Sequence, residues 1–140
     1  MSTTVVVVIA VLIAVAGVAL IAGRLIALRA RLRKGEAAAA NVDTTGLDLS
    51  SDGPTVVHFS APWCQPCAGV RRTVEEVCAQ LPAVAHLEVD VDDQPELARR
   101  LSVLSLPTTL IFDATGRPRY RTTNVLKPAD LRAVLEPLLA

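Results

Sequence analysis

Two cysteines separated by two residues are the side chains of this sequence best suited to chemistry. Cys64 and Cys67 follow an apolar run and stand where a helix is predicted to begin, so their sulfurs can close a small disulfide ring. The first turn of a helix offers unpaired N–H groups and a positive dipole end, and both favour a thiolate over a thiol. The pattern therefore predicts a redox-active cysteine pair, with Cys64 as the nucleophile.

The residues around the cysteines fit this interpretation. Pro66 lies in the predicted first turn, where its fixed φ is tolerated and its missing N–H is one that the helix could not use. Trp63 precedes Cys64 and can shield one side of the pair. Two thiolates at this spacing are also half of a zinc or copper site, but no second Cys-x-x-Cys follows. No metal is therefore expected, and a thiolate metal-binding module is kept as an alternative.

Hydrophobic periodicity predicts alternating strands and helices around the cysteines. The predicted strands are Thr55–Ser60, His86–Val91, Thr108–Phe112 and Arg119–Thr123. The predicted helices run from Cys64 to about Leu81, from Asp93 to about Leu101, and onward from about Pro128. The resulting order, β-α-β-α-β-β-α with the cysteines at the first strand-to-helix junction, indicates an α/β domain.

From Leu47 to Ala140 the chain resembles the thioredoxin family. Trp63-Cys64-Gln65-Pro66-Cys67 resembles the family's Trp-Cys-Gly-Pro-Cys active site. Leu106-Pro107-Thr108 resembles its cis-proline loop, and Asp113-Ala114-Thr115-Gly116-Arg117 resembles its hairpin. The resemblance implies a thioredoxin-like fold, with a central mixed sheet flanked by helices.

The resemblance also implies a mechanism. Cys64 would attack a protein disulfide, Cys67 would resolve the mixed disulfide, and Pro107 would be cis and face Cys64. Asn124 stands where the family carries a glycine on its binding surface. The expected substrate-binding residues are Trp63, Leu106, Pro107 and Asn124. No nucleotide or flavin motif is present, so no cofactor is expected and electrons would come from a separate reductase or thiol carrier.

Two histidines depart from the family pattern. His58 stands at the position of the family's buried aspartate, and His86 at that of the nearby lysine. A histidine of ordinary pKa, about 6.5, could accept the Cys67 proton near neutrality, and a hydrogen-bonded core histidine is the alternative. If His58 is the acceptor, its replacement by alanine should flatten the pH-rate profile between about 6 and 8. His86 is expected to be exposed on its alternating strand.

The first predicted helix of this domain also contains two basic residues and a third cysteine, whose exposure can be predicted. Arg71 and Arg72, a turn or so beyond the cysteine pair, are expected on a solvated face, and a position near the pair is the alternative. Cys78 falls at an apolar helical position and is expected to be a small buried hydrophobe. As a third cysteine without a partner, it also fits a reducing compartment better than a secreted disulfide scaffold.

The beginning of the chain has a different composition. Val5 to Ala22 contains only Val, Ile, Ala, Leu and Gly, which is long enough to cross a hydrocarbon core of about 30 Å as a helix. The basic residues that follow are Arg24, Arg29, Arg31, Arg33 and Lys34. By the positive-inside rule they place the downstream domain in the cytoplasm. A cleaved secretory signal, which carries its basic residues before the apolar segment, is an alternative.

These observations predict three regions: a transmembrane anchor at 1–24, a basic juxtamembrane segment and linker at 25–46, and a thioredoxin-like domain at 47–140. Lys+Arg and Asp+Glu balance at 14 each, and no basic run or aromatic ladder follows Leu47, so no nucleic-acid partner is expected. The predicted function is a single-pass, membrane-tethered thiol-disulfide oxidoreductase that reduces cytoplasmic protein disulfides. An extracytoplasmic reductase or oxidant is the alternative.

Overall fold

The structure, a computed structural model, describes residues 2–38 and 42–140. The chain divides into two compact units, Met1–Arg33 and Lys34–Ala140. Helix α1 spans Thr3–Ala38, and its apolar side chains from Val5 to Ile26 are exposed. Within the described residues, its segment Thr3–Lys34 is the one helical stretch long and apolar enough to cross a membrane, and an 18-residue window of it has a mean hydropathy of 3.3. The helix therefore continues past residue 24 and through the basic residues.

The second unit contains the remaining helices and strands in the predicted order. The strands are β1 Thr55–Ser60, β2 Ala85–Asp90, β3 Thr108–Phe112 and β4 Pro118–Thr122. The helices are α2 Gln65–Gln80, α3 Pro95–Arg100 and α4 Pro128–Leu139. The sheet has the order β2-β1-β3-β4, with β1 parallel to β2 and antiparallel to β3, and with β3 antiparallel to β4. The predicted mixed sheet flanked by helices is confirmed.

Strand β1 lies at the centre of the sheet, and all of its residues are buried. Because side chains alternate along a strand, Val57 and Phe59 face one side and His58 the other. The side with Val57 and Phe59 belongs to a hydrophobic cluster that also contains Val89, Leu97, Ala98, Leu101, Leu110 and Phe112. Val42, Leu47 and Leu49 pack against this cluster, so packing on the domain begins within the predicted linker at 25–46.

Candidate active site

The two predicted redox cysteines are joined by a disulfide at the start of α2. Their sulfurs are 2.09 Å apart and their Cα atoms 5.5 Å apart. Cys64 is the N-cap of the helix, Pro66 occupies its first turn, and the Cys64 N–H donates to the Ala61 carbonyl oxygen at 3.0 Å. The proline and the tight turn before it therefore hold both sulfurs at the positive end of the helix dipole.

The two sulfurs differ in accessibility. Cys64 is half-buried, whereas Cys67 is 1% exposed and packs with its Sγ 3.9 Å from the Phe59 carbonyl oxygen. Thiol-disulfide exchange requires the attacking sulfur to reach the sulfur of another molecule. The arrangement therefore suits Cys64 for the first attack and Cys67 for the internal step that follows.

Trp63 is held beside the cysteine pair by a hydrogen bond across two loops. Its side chain is 68% exposed, yet its Nε1 donates to Asp92 Oδ2 at 3.1 Å. The backbone N–H of Asp92 donates in turn to Asp90 Oδ1 at 2.8 Å. The indole is therefore a fixed apolar surface. Sequence reasoning did not find Asp92, because its distance along the chain from Trp63 hides the contact.

The loop between α3 and β3 contains the expected cis peptide bond, Leu106–Pro107. Pro107 is buried, Leu106 is half-buried, and Leu104 is 95% exposed. At the other end of the loop, the Thr108 hydroxyl donates to the Ser105 carbonyl oxygen at 2.6 Å. The loop thus presents apolar side chains from a hydrogen-bonded backbone.

Arg121 of β4 fixes the first part of the same loop. Its Nη1 donates to the Leu101 carbonyl oxygen at 2.7 Å and its Nη2 to the Ser102 carbonyl oxygen at 2.5 Å. Ser102 has a φ of 55°, a left-handed conformation that is uncommon for a residue other than glycine. Arg121 therefore supports an unusual turn just before the cis-proline loop. Sequence analysis did not identify this residue, since nothing local marks it.

Asn124 lies in the exposed loop between β4 and α4. Its backbone N–H donates to Thr122 Oγ1 at 3.2 Å. The next residue, Val125, has its Cγ1 only 3.7 Å from the point where a Cβ on Gly69 would stand. The loop therefore lies against the first half of α2, the half that carries Cys67.

His58 is fully buried beneath α2 and bonded to the second histidine. Its Nδ1 is 2.9 Å from His86 Nε2, and the two rings stack with centroids 5.0 Å apart. His58 Nε2 lies 3.5 Å from Glu88 Oε1. The expectation that His86 is exposed is wrong. The parallel pairing of β1 with β2 places His86 opposite Val56, two residues before His58 and on the same face, and the ring packs there half-buried.

Glu88 joins this histidine pair to α2. Its carboxylate accepts from the Ser60 hydroxyl at 2.7 Å, from Arg71 Nε at 2.9 Å, and from Arg71 Nη2. The bonds from Arg71, with that from Ser60, lower the pKa of Glu88 to about 2, so the group is an anion at neutral pH. Arg71 is exposed, as expected, and it also pairs with this carboxylate, which the sequence did not predict. Sequence reasoning also missed Glu88, although it follows His86 by two residues and so shares its face of β2.

Burial sets the charge of His58. It lowers the pKa of the imidazole to about 4, against the opposing influence of the Glu88 carboxylate, and it also lowers the pKa of His86. His58 is therefore neutral at neutral pH and titrates below the range from 6 to 8. The expectation of an ordinary histidine pKa is therefore wrong. The flattened pH-rate profile of His58→Ala stays a prediction.

Cys78 is half-buried in α2, and burial raises the pKa of its thiol, so it resembles an apolar residue more than a nucleophile.

A groove of about 360 Å³ beside the cysteine loop is lined by Ser60, Ala61, Pro62, Arg71, Glu88 and Asp90. Across residues 2–38 and 42–140, no group of three or more His, Cys, Asp or Glu side chains is arranged to hold a metal ion.

Comparison with known proteins gives consistent matches to the second unit. The family model described as Thioredoxin matches residues 37–136. A thioredoxin from Mycolicibacterium smegmatis is 42% identical over 94 residues, which cover 65% of this chain and 83% of that protein. The thioredoxin from Trypanosoma brucei brucei has a similar structure, with a TM-score of 0.57 and 32% identity, covering 65% of this chain and 79% of that one.

One relative is much longer than the matched region. The bifunctional thioredoxin reductase/thioredoxin of Mycobacterium leprae (strain TN) is 41% identical over 84 residues, which cover 59% of this chain. The match spans only 18% of that protein. The similarity is therefore to one part of it.

Proposed function

The chain belongs to the thioredoxin family, and we propose that it is a membrane-tethered member that reduces protein disulfides through Cys64 and Cys67. As a family member it is a disulfide oxidoreductase that works through a cysteine pair. The observation that carries the proposal is the pairing of an accessible Cys64 with a buried Cys67 at the N-terminus of α2. The direction of the reaction and the membrane tether are the proposed parts.

The reaction transfers two electrons in two exchange steps. The Cys64 thiolate attacks one sulfur of the substrate disulfide, forms a mixed disulfide, and releases the other substrate sulfur as a thiolate. Cys67 then loses its proton and attacks the Cys64 sulfur. The second substrate sulfur leaves, and the Cys64–Cys67 disulfide seen here is formed. A separate reductase or thiol carrier returns the pair to its reduced form.

Substrate binding is assigned to the surface around Cys64. Trp63 offers an exposed ring held by Asp92, and Leu106 and Pro107 form the cis loop. Asn124 belongs to the loop that packs on α2. An extended substrate segment can pair with the backbone of such a loop while its side chains contact the apolar residues. These roles are proposed from the family pattern and from the exposure of the residues.

His58 is proposed as the acceptor of the Cys67 proton during resolution. A general base must be unprotonated before it acts, and burial keeps the His58 imidazole unprotonated at neutral pH. The Glu88 anion, 3.5 Å from Nε2, would stabilise the imidazolium that forms. Cys67 packs against the carbonyl group of Phe59, which follows His58 in β1. Cys67 therefore lies at the same end of the strand as His58.

The membrane tether is proposed to be the apolar part of α1. An uninterrupted apolar helix whose side chains are exposed is suited to lipid contact, and the basic residues after it favour a cytoplasmic domain. We retain 1–24 as the anchor, 25–46 as the juxtamembrane segment and linker, and 47–140 as the domain. A secretory signal passes the same test of length and composition, so an outward-facing reductase or oxidant is the second candidate.

The direct test of the proposed activity is insulin reduction. The full-length chain in detergent micelles should accelerate dithiothreitol-driven reduction of insulin, measured as the precipitation of the released chains, because the accessible Cys64 at the N-terminus of α2 attacks the insulin disulfides and dithiothreitol then reduces the Cys64–Cys67 pair. A rate equal to that of dithiothreitol alone would contradict the proposal. Micelles without protein are the control.

The buried His58 also predicts a pH dependence of stability. In the unfolded chain a histidine binds its proton at about pH 6.5, but in the folded chain His58 binds it only near pH 4. Folded-state stability is therefore greatest above pH 6.5 and falls as the pH drops towards 4, by up to about 3 kcal/mol from this residue.

Urea unfolding followed by the fluorescence of Trp63, the one tryptophan, measures this effect. His58→Gln keeps a polar side chain of similar size but does not titrate, so its unfolding free energy should decline less over the same pH range. Parallel pH dependences in the two proteins would show that His58 is not the group responsible.

A further inference from the structure

The C-terminus of α3 ends in a turn that normally contains glycine. The Ser102 N–H donates to the Arg99 carbonyl oxygen at 3.0 Å, and the Val103 N–H donates to the Ala98 carbonyl oxygen at 2.9 Å. These two bonds are those of a Schellman motif, in which the residue after the helix cap is left-handed and is usually glycine. Here that residue is Ser102, with a φ of 55°. The turn therefore has a conformational cost that glycine would avoid.

A side chain from β4 bonds to two carbonyl groups of this turn. Arg121 Nη1 donates to the Leu101 carbonyl oxygen at 2.7 Å, and Nη2 donates to that of Ser102 at 2.5 Å. In the pairing of β3 with β4, Arg121 is opposite Leu110, which belongs to the same hydrophobic cluster as Leu101. Paired residues project from the same face of a sheet, so Arg121 lies on the face where α3 packs.

The arginines of α3 itself bond elsewhere. Arg99 Nη1 donates to Glu96 Oε1 at 2.8 Å, and Arg100 Nη2 donates to the Thr45 carbonyl oxygen at 2.6 Å. Arg121 is half-buried, and burial lowers the pKa of its guanidinium with no opposing carboxylate among the described residues. Its charge is therefore directed at the carbonyl groups that follow α3, where a cation also interacts favourably with the helix dipole.

The loop that follows this turn, residues 103–107, is the one assigned to substrate binding under the proposed function. Leu104 is 95% exposed and Leu106 is half-buried. The end of the loop is fixed locally, because the Thr108 hydroxyl donates to the Ser105 carbonyl oxygen at 2.6 Å. The start of the loop is fixed by Arg121, a residue of another strand.

We propose that Arg121 is a positioning residue for substrate binding, which holds the start of this loop in one arrangement. The proposal rests on the proposed function and adds to it a residue whose hydrogen bonds reach the loop rather than the cysteine pair. A loop that becomes ordered only on binding weakens affinity, because ordering costs conformational entropy. Loss of the two bonds should therefore weaken the binding of protein substrates and leave the reactivity of Cys64 unchanged.

Amide hydrogen exchange of the full-length chain in micelles tests the effect on the turn. Arg121→Met removes the donors and keeps an apolar stem. Exchange at Ser102 and Val103 should become about tenfold faster, as expected when hydrogen bonds from a charged donor are lost, while the amides of β1 keep their parent rates. Adding Ser102→Gly should restore protection at Val103, because glycine adopts the left-handed conformation without the cost. Parent exchange rates in Arg121→Met would overturn the proposal.

The matched control for this variant is Arg119→Met. Arg119 belongs to the same strand, and its replacement removes the same charge, but its Nη1 donates to Asp113 Oδ2 of the hairpin at 3.2 Å. Exchange at Ser102 and Val103 should therefore stay at the parent rate in this variant. An equal acceleration by both substitutions would attribute the effect to charge rather than to the bonds of Arg121, and would contradict the proposal.

Steady-state kinetics separate substrate positioning from a general loss of folding. In Arg121→Met the apparent KM for insulin should rise about fivefold, with kcat close to the parent value. The reduced variant should react with 5,5′-dithiobis(2-nitrobenzoate) at the parent rate, because this small disulfide has no peptide backbone to pair with the loop. Addition of Ser102→Gly should lower the KM again, and Arg119→Met should keep the parent KM.

The outcomes of these assays distinguish the two proposals. An unchanged KM in Arg121→Met despite faster exchange at the turn would contradict the positioning role alone. Equal losses of rate with insulin and with the small disulfide would also overturn it, since they would indicate a smaller fraction of folded protein. Failure of the parent chain to reduce insulin would instead contradict the proposed function.

Discussion

Cys64→Ser is expected to reduce the rate of insulin reduction to that of dithiothreitol alone. The substitution removes the accessible sulfur, and the remaining sulfur of the pair, on Cys67, is 1% exposed and cannot reach a substrate disulfide. A serine hydroxyl is not ionised near neutrality and does not take part in thiol-disulfide exchange. Cys78→Ser is the matched control, because it removes the remaining thiol outside the pair and should leave the rate unchanged.

Cys67→Ser is expected to fail in a different way. Cys64 can still attack, but no internal thiol completes the reaction, so the mixed disulfide accumulates. Mass spectrometry under non-reducing conditions should detect the chain joined to its substrate, and an added thiol should release it. Equal residual activity in the two variants, or adducts formed by Cys64→Ser, would contradict the assignment of roles.

The membrane orientation of the chain is expected to decide whether Cys64 is labelled in intact cells. A membrane-impermeant reagent reacts only with thiols on the outer side of the membrane. With Cys67 and Cys78 replaced by serine, Cys64 is the one remaining thiol of the chain. In intact cells it should resist a membrane-impermeant thiol reagent and react only after lysis, because Arg24, Arg29, Arg31, Arg33 and Lys34 favour retention of that side in the cytoplasm.

A cysteine placed before the first helix tests the other side of the membrane. Ser2→Cys, in a chain whose three native cysteines are serines, should react with the same reagent before lysis. Labelling of Cys64 in intact cells, with protection at position 2, would reverse the orientation and favour the extracytoplasmic reductase or oxidant. Release of the domain without its first helix would instead identify a cleaved signal.

Much of the site follows from local sequence. The spacing of Cys64 and Cys67 with Pro66 between them predicts a helix start, and α2 begins there. The β-branched and apolar residues of Thr55–Ser60 and Thr108–Phe112 predict β1 and β3 with the bounds observed. These predictions succeed because helix capping, the fixed φ of proline and strand alternation depend on residues within a few positions of one another.

The exposure and charge of the histidines could not be obtained in this way. His58 and His86 are 28 residues apart, and the pairing of β1 with β2 alone brings their rings together. Without this packing, neither the half-burial of His86 nor the lowered pKa of His58 can be inferred. A pKa depends on desolvation and on neighbouring charge, and both are properties of the folded surroundings.

The amino-acid sequence by itself determined the redox chemistry, the order of the elements and the apolar character of the first helix, because each is set by residue type and short spacing. The tertiary structure alone decided which distant groups support the cysteines: Arg71 with Glu88, 17 residues apart, and Arg121 with Leu101, 20 apart. It also placed Thr109 opposite His58. Contacts of this kind form when strands pair and a helix covers the sheet. Polar groups that are distant in sequence are then buried together, away from water, and form hydrogen bonds with one another.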